Sequence, residues 1–343
     1  MALVDNATWL GEAFPWPDPL LRTAIGLLVS RTDRRLLSAP ANSVRLFAEA
    51  MRDYPVAIHT AHANAQHYEL PERFFGLILG PKRKYSCCLF PMAETPLAEA
   101  EEYALAQTAG HADLKDGQTI LELGCGWGSL SLWMAEQFPN ARITSVSNSH
   151  SQRAYIATEA SKRSLKNLTV VTADMNDFST DQTFDRIVSV EMFEHMANWQ
   201  LLLARLKGWL APDGRAFIHV FTHAATPYRF DQDNPADWIA KHFFTGGLMP
   251  SHRLMLEFPE SFTVEQDWRW SGEHYRRTAD AWLANYDSNA DDIDGILREV
   301  YGQDAALWHR RWRLFFLATS GLFGHADGKA WGISHYRLAP SRA

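Results

Sequence analysis

Two different patterns of hydrophobic and polar positions run along this 343-residue chain. Residues 1–80 set Leu, Ala and aromatic side chains at helical spacing among Arg and His, without strict alternation, and so predict several short helices. Thr95-Pro96 predicts a helix start, with Thr as N-cap and proline at the first helical position. From Gly117 onward, short apolar runs alternate with helical segments. Strands are predicted over 119–123 (TILEL), 142–147 (RITSVS), 168–173 (LTVVTA) and 184–190 (FDRIVSV), and, after a Pro212-Asp213-Gly214 turn, over 215–221 (RAFIHVF). Helices are predicted from Gly128 through Phe138 and over 152–163. This order implies an α/β fold with a parallel sheet and right-handed crossovers. Residues 222–260 break the rhythm with Pro, Gly and aromatics and read as a lid or substrate-site insertion. A strand over 262–268, helices at about 278–287, 292–301 and 305–322, and an edge strand over 332–338 complete the prediction.

Composition narrows the function. With 46% hydrophobic residues the chain can bury the core of one large, elaborated domain. A net charge of −7 and the lack of any long Lys/Arg block argue against an electrostatic nucleic-acid binder; Lys82-Arg83-Lys84 reads as a short solvated cluster. Met1 to Asp5 carries an acid where a signal peptide would be basic, and the apolar run from Ala24 to Val29 is too short to span a bilayer. The three cysteines, Cys87, Cys88 and Cys125, form no disulfide frame and read as reduced thiols, so a cytoplasmic protein without stable membrane association is expected. Thirteen tryptophans hint at an aromatic-lined pocket, although aromatics are more often core.

The octet LELGCGWG at 121–128 is the most informative stretch. Glycines at a strand's carboxyl end let the backbone approach a ligand, and the next helix offers unpaired N–H groups. Gly124 and Gly126 alone would also suit a dinucleotide fold or a tight turn. The acid Glu122 and the absence of the longer dinucleotide or P-loop spacing point instead to motif I of class I methyltransferases, which this octet resembles. Ser147, Asn148 and Gln152 after the second strand can form a neutral clamp for ribose hydroxyls, while Asn148 or Ser149 can equally cap a helix. Asp174 after the third strand can accept from an adenine amine, or serve as a cap or loop acid.

After the fourth strand stand Glu191, Glu194 and His195, spaced i, i+3 and i+4, which on a helix would share one face. Such a cluster can hold a cationic amine and remove its proton; a solvated first turn explains one Glu but not all three. Several long runs in order now sharpen the reading: QHYELPERFF, KYSCCLF, ELGCGWGS, FDRIVSVEMFEHM, FFTGGLMPS, EHYRRTADAWL and SGLFG. Over about residues 64–338 they resemble the coclaurine N-methyltransferase-like branch of the cyclopropane fatty acid synthase-like superfamily, whose members use S-adenosylmethionine.

The resemblance implies a class I, Rossmann-like methyltransferase sheet with a helical N-terminal extension and an inserted helical cap. It divides the chain into a helical segment and cofactor lid over 1–93 and a catalytic domain over 94–343, with insertions around 222–260 and 274–325. It places Tyr85 and Ser86 over the cofactor's methionine part and Gly124 and Gly126 beneath it. Ser147, Asn148 and Gln152 then lie near the ribose, and Asp174 and Met175 flank the adenine. Glu194 and His195 would remove the proton while Glu191 holds the amine's charge. In the cyclopropane synthase branch a Cys, a Glu, a His and a Tyr hold a bicarbonate; the matching positions are Cys87, Glu194, His219 and Tyr275. Read without the resemblance, Cys87 is a small core residue, His219 a satisfied buried histidine and Tyr275 a wall aromatic.

Synthases usually have glycine where this chain has Glu191. A second carboxylate suits a substrate cation and repels a bound anion. The expected activity is therefore N-methylation of a small, partly aromatic, tetrahydroisoquinoline-like amine, with no metal required. Trp238, Phe243, Phe244 and Trp331 are candidate pocket walls for cation–π contact, with core packing the better expectation for at least half of them. The rival activity is C-methylation or cyclopropanation of an unsaturated fatty acyl lipid. It would need membrane docking, and no strongly basic amphipathic helix provides it. Cofactor binding without catalysis fits the Glu–His cluster poorly, and a homodimer is compatible with the sequence.

Overall fold

The computed structural model describes residues 12, 14–58, 70–231 and 237–342. Met1 to Asp5 and the first four residues of QHYELPERFF lie outside them. The strands are β1 (Thr119–Leu123), β2 (Arg142–Ser147), β3 (Leu168–Thr172), β4 (Phe184–Val190), β5 (Leu210–His223), β6 (Tyr228–Arg229), β7 (Leu248–Met249), β8 (Phe262–Ser271) and β9 (Trp331–Pro340). Seven of them form one sheet in the order β3-β2-β1-β4-β5-β9-β8, while β6 and β7 pair as a small hairpin inside the 222–260 insertion. The first five run parallel. Strand β9 is antiparallel to both β5 and β8. Four of the five residues of β1 are buried, Glu122 among them, as a parallel strand covered on both faces should be. Strand order reverses between β1 and β4, so their carboxyl ends open a crevice there, where ligands of such sheets bind.

The helices are α1 (Asp18–Leu37), α2 (Ser43–Ala50), α3 (Glu72–Ile78), α4 (Leu97–His111), α5 (Ser129–Gln137), α6 (His150–Lys162), α7 (Trp199–Trp209), α8 (Trp238–His242), α9 (Gly272–Ser288), α10 (Ala290–Tyr301) and α11 (Ala305–Phe323). No described helix is long and apolar enough to cross a membrane. Helices α9 to α11 intervene between β8 and β9 and share one core with the N-terminal helices. Ile25 and Val29 of α1, Phe74 and Phe75 of α3, Trp282 of α9 and Trp312 and Phe316 of α11 belong to it. Two segments far apart in sequence thus make a single cap over the crevice.

Two expectations need correction. Strand β9 is not an edge: it lies between β5 and β8, and its first six residues are all buried. Its polar residues hid this, because they pair internally. Ser334 shares a hydrogen bond with Thr222 across to β5 at 2.7 Å, and His335 bonds His219 at 2.9 Å. Thr95 does not cap α4. Pro96 is the cap residue, and the Thr95 hydroxyl accepts from the Met92 N–H at 3.1 Å, closing the preceding turn.

Gly272, where β8 turns into α9, is sterically fixed. A Cβ there would lie 2.2 Å from the Phe323 carbonyl oxygen and 2.3 Å from that of Trp331, both main chain. Gly272→Ala is expected to destabilise the fold by roughly 1–3 kcal/mol or more. Gly26→Ala, on a helix with nothing within 4 Å of the new Cβ, is expected to stabilise it by about 0.5–1 kcal/mol. Thermal melts of the two variants check the contrast.

Candidate active site

The loop after β1 turns left-handed three times, with φ of 79° at Gly124, 51° at Gly126 and 78° at Gly128. A side chain at Gly124 would strike Met192, and one at Gly128 would strike Ile156. At Gly126 the space is open, so the loop's backbone faces a cavity there. Tyr85, Ser86, Glu122, Gly124, Gly126, Ser147, Asn148, Gln152, Asp174 and Met175 all line that cavity. It also takes in Ala57, outside the runs quoted above, and Trp127, Ser129, Met196 and Thr245, which lie within them but carried no expected role.

Hydrogen bonding shows what the cavity lacks. The Ser147 hydroxyl donates to Oε1 of Gln152 at 2.7 Å and accepts from the Ser149 N–H at 3.0 Å. The amide oxygen of Gln152 is thereby engaged, while its buried Nε2 has no partner among the described residues. Nε1 of Trp127 and Oγ of Ser129 are likewise buried without partners. Three stranded polar groups around one cavity fit a polar ligand that completes them. Ser149, not Asn148, caps α6. Asp174 accepts from the Asn176 N–H at 2.8 Å, shaping its turn while still facing the cavity. Glu122 braces the floor. Its Oε2 accepts from Ser131 and, at 2.7 Å, from Ser145, and burial pushes its carboxyl up to about 7.

At the cavity's other end Glu191 leaves β4 with φ of 47°, left-handed for a residue with a side chain. A 3-10 turn over Phe193–His195 follows, so the i, i+3, i+4 helical face does not form. The Glu191 carboxylate is held from three elements. Oε1 accepts from the Cys87 N–H at 2.8 Å and lies 3.2 Å from Nε2 of His219, and Oε2 accepts from the Tyr275 hydroxyl at 2.8 Å. Cys87 contributes its backbone; its thiol is pushed well up by burial and then by Glu191, and donates to the Cys88 carbonyl. Lys84 corrects the reading of a solvated cluster. It is 2% exposed, and its ammonium donates to Ser86 Oγ and, at 2.7 Å, to the Cys87 carbonyl. Burial raises the Glu191 carboxyl, and the Lys84 charge opposes that rise.

Glu191 and His195 line the cavity, and Glu194 does not. Glu194 is fully buried behind them. Its Oε1 accepts from the Phe221 N–H at 2.7 Å, and burial, followed by repulsion from Glu191, drives its carboxyl well above the ordinary range. Of the candidate walls, none lines the cavity itself, and Phe244 comes nearest, its ring 4.4 Å from that of the lining residue His195. Trp238, Phe243 and Trp331 are core. Trp238 bonds Glu12 through Nε1, Phe243 stacks on Phe315 at 4.6 Å, and Trp331 packs against His223 at 4.9 Å. The aromatic excess fills the cap interior.

The model of the mycolic acid cyclopropane synthetase family matches residues 57–328. The chain belongs to that family. It is an S-adenosylmethionine-dependent methyltransferase. Among the family's named members, (S)-coclaurine N-methyltransferase of Thalictrum flavum subsp. glaucum is 36% identical over 83% of this chain and 81% of its own. Pavine N-methyltransferase of the same plant is 32% identical over 84% and 82%. The crystal structure of a coclaurine N-methyltransferase bound to N-methylheliamine and S-adenosylhomocysteine superposes with a TM-score of 0.93. It shares 31% identity and covers 98% of this chain and 99% of that one.

Two outcomes follow for the cofactor end. Gly126→Val fills the open space before the loop and adds left-handed strain of about 1–2 kcal/mol. The protein should stay folded yet lose S-adenosylhomocysteine binding, read by calorimetry. Glu122 has its carboxyl raised in the folded state, so the fold binds its proton more tightly than the unfolded chain does. Stability should therefore fall as pH rises from 4.5 through about 7, by roughly 3 kcal/mol at about 1.4 kcal/mol per pH unit. Melts of the ligand-free protein should show that slope, and Glu122→Gln should flatten it.

Proposed function

We propose that this family member methylates the nitrogen of a small, partly aromatic amine of the tetrahydroisoquinoline kind. The observation that carries the proposal is the position of the Glu191 carboxylate. It takes hydrogen bonds from Cys87, His219 and Tyr275, three of the four positions that match the bicarbonate cradle of the cyclopropane synthase branch. A built-in anion stands where that branch binds a free one. A carboxylate offers about four acceptor positions, and three are used, so one remains toward the cavity for an ammonium N–H. The names of the similar N-methyltransferases and the N-methylated amine in the matching structure support the same substrate class.

S-adenosylmethionine, when bound, supplies a methyl group on sulfonium: the C–N bond forms as the C–S bond breaks, leaving a neutral thioether. The chain's residues hold and prepare the amine. The main chain at Gly124 and Gly126, with Ser147, Asn148, Gln152, Asp174 and Met175, would seat the cofactor, and Tyr85 and Ser86 would close over it. Glu191 pairs with the ammonium and takes its proton, freeing the lone pair. His195 and Phe244 border the amine and orient it. Glu194, buried and with its carboxyl raised well above the ordinary range, is a positioning residue bonded to the Phe221 N–H. This division differs from the one the i, i+3, i+4 spacing suggested, because the 3-10 turn sends Glu194 inward. Buried free thiols at Cys87, Cys88 and Cys125 support a cytoplasmic setting.

The experiment incubates purified protein and labelled S-adenosylmethionine with an amine panel and, separately, with vesicles of unsaturated phospholipid. Label is expected in amines, and label in lipid alone would overturn the proposal. Glu191→Gln should lower kcat by about 10²–10⁴-fold, with partial recovery at high pH where the amine is already neutral. His195→Ala should mainly raise KM. Glu194→Gln, which keeps the side chain's shape and its acceptor for the Phe221 N–H, should keep kcat near that of the wild type. A loss there as large as in Glu191→Gln would return the base to Glu194.

A further inference from the structure

Residues 80–88 form a strap between α3 and α4 whose backbone is anchored along its length. Glu101 of α4 is fully buried and accepts from the Lys82 N–H at 2.8 Å and the Lys84 N–H at 3.1 Å. The strap lies directly on that carboxylate, since a Cβ at Gly80 would come within 2.5 Å of its Oε2. Arg83 turns left-handed with φ of 55°, its guanidinium paired with Glu72 at 2.6 Å. Beyond Ser86, the Cys87 N–H is held by Glu191 at 2.8 Å and the Cys88 N–H by Oγ1 of Thr278 at 3.0 Å. Tyr85 and Ser86 thus line the cavity from a backbone fixed on either side of them.

Lys84 is the member of the strap that burial penalises. The two acceptors of its buried ammonium, Ser86 Oγ and, at 2.7 Å, the Cys87 carbonyl, are both neutral oxygens. A buried charge calls for more than that. Glu101 and Glu191, the carboxylates that feel its charge, are committed elsewhere. Glu101 holds the N–H groups of the strap, and Glu191 holds Cys87, His219 and Tyr275. Donor roles sharpen the point. An ammonium has only N–H donors, so Ser86 Oγ is the acceptor in their bond. The single proton of the Ser86 hydroxyl therefore cannot go back to Lys84, and among the described residues no group accepts it. Lys84 and Ser86 both line the cavity.

We infer that Lys84 is a positioning residue for the cofactor: its ammonium holds Ser86 Oγ as an acceptor and so leaves the Ser86 O–H to donate into the cavity, to the carboxylate of the cofactor's amino-acid tail. The inference rests on the seating of that tail beneath Tyr85 and Ser86 proposed above, and not on the amine. A carboxylate offers acceptors only, which is what a hydroxyl committed to donating requires. A hydroxyl that accepts from a cation is polarised into a stronger donor, and its bond to an anion is charge-assisted. The tail also brings negative charge beside a buried cation that has only neutral acceptors. The adenosine part carries no anion, so Lys84 and Ser86 together select for the tail. The same ammonium grips the carbonyl of Cys87, the residue that gives its N–H to Glu191. One side chain thus sets the cofactor-facing hydroxyl and steadies the Glu191 carboxylate.

Two ligands separate this role from a merely structural one: S-adenosylhomocysteine, and 5′-methylthioadenosine, which keeps the adenosine and the thioether and lacks the tail. In calorimetry on the whole chain, Lys84→Met is expected to weaken S-adenosylhomocysteine by about tenfold or more and to leave 5′-methylthioadenosine within about twofold. Ser86→Ala should do the same. The double variant should lose little beyond either single one, because Lys84 acts through Ser86. Lys84→Gln keeps an N–H donor and drops the charge, and should weaken S-adenosylhomocysteine alone by about threefold or more. It carries the test if Lys84→Met fails to fold. Equal losses for the two ligands in the Lys84 variants, or no loss for either, overturn the role of Lys84. If Ser86→Ala still weakens S-adenosylhomocysteine selectively in that case, the seating of the tail stands without Lys84. Ser86→Ala with no selective loss overturns the seating and the role of Lys84 together. No amine is present in these titrations, so the amine reading is tested separately by methyl transfer.

Discussion

A carboxylate held by donors from three segments organises this molecule. Glu191 turns left-handed at the end of β4, and its oxygens meet the Cys87 N–H from the strap before α4, the Tyr275 hydroxyl from α9 and His219 from β5. A left-handed residue with a side chain costs of order 1–3 kcal/mol and persists only where the surroundings over-determine it. Here they do, because charge-assisted bonds to a buried acceptor are the strong kind. Taking away one donor would leave part of a buried charge unanswered, so the N-terminal segment, the sheet and the helical insertion are bound to one another through this single group.

The rest of the site follows from that placement. Burying one carboxylate calls for a nearby cation, and Lys84 is drawn out of solvent to supply it. Burying a second carboxylate beside the first disfavours its charge, and burial and then Glu191 raise the Glu194 carboxyl well above the ordinary range. The cavity then presents one anion, fixed donors and the His195 ring, on which Phe244 packs. That is preorganisation for a cation, arranged before any ligand arrives. Cap helices from both ends of the chain share one core, in which Ile25, Phe74 and Phe75 pack with Trp282, Trp312 and Phe316.

The glycine loop and the strands before it are local features, and the sequence shows them plainly. Gly124, Gly126 and Gly128 need φ values that other residues avoid, and β1, β2 and β4 are short β-branched-rich runs set between helical segments. The clamp residues Ser147, Asn148 and Gln152 follow at fixed offsets from a strand end, so they too are readable. What stays hidden depends on partners distant in sequence. Nothing near Lys84 announces burial, because its acceptors and its counter-charge come from the folded strap and from Glu191, more than a hundred positions away. His335 and Ser334 disguise β9 as half-exposed because their partners, His219 and Thr222, sit on another strand. Trp238, Phe243 and Trp331 look like pocket walls by type. Only the cap's packing shows that they are its filling.

Charge accounting explains why one fold can serve two chemistries. A methyl donor with a sulfonium and an ammonium substrate place two positive charges in one enclosed site. At about 4 Å and an effective dielectric of 20 they repel by about 4 kcal/mol, and the buried Lys84 adds to that repulsion. A site built for a neutral alkene has no such problem when it loads. It meets positive charge only as the reaction proceeds, and a mobile bicarbonate can answer it then. An amine site must answer the charge from the start, and a tethered carboxylate does so without the entropic cost of capturing an ion. The tether has a consequence. A carboxylate that keeps the proton it takes no longer offsets anything, so the anion at Glu191 must be regenerated before the next cation binds.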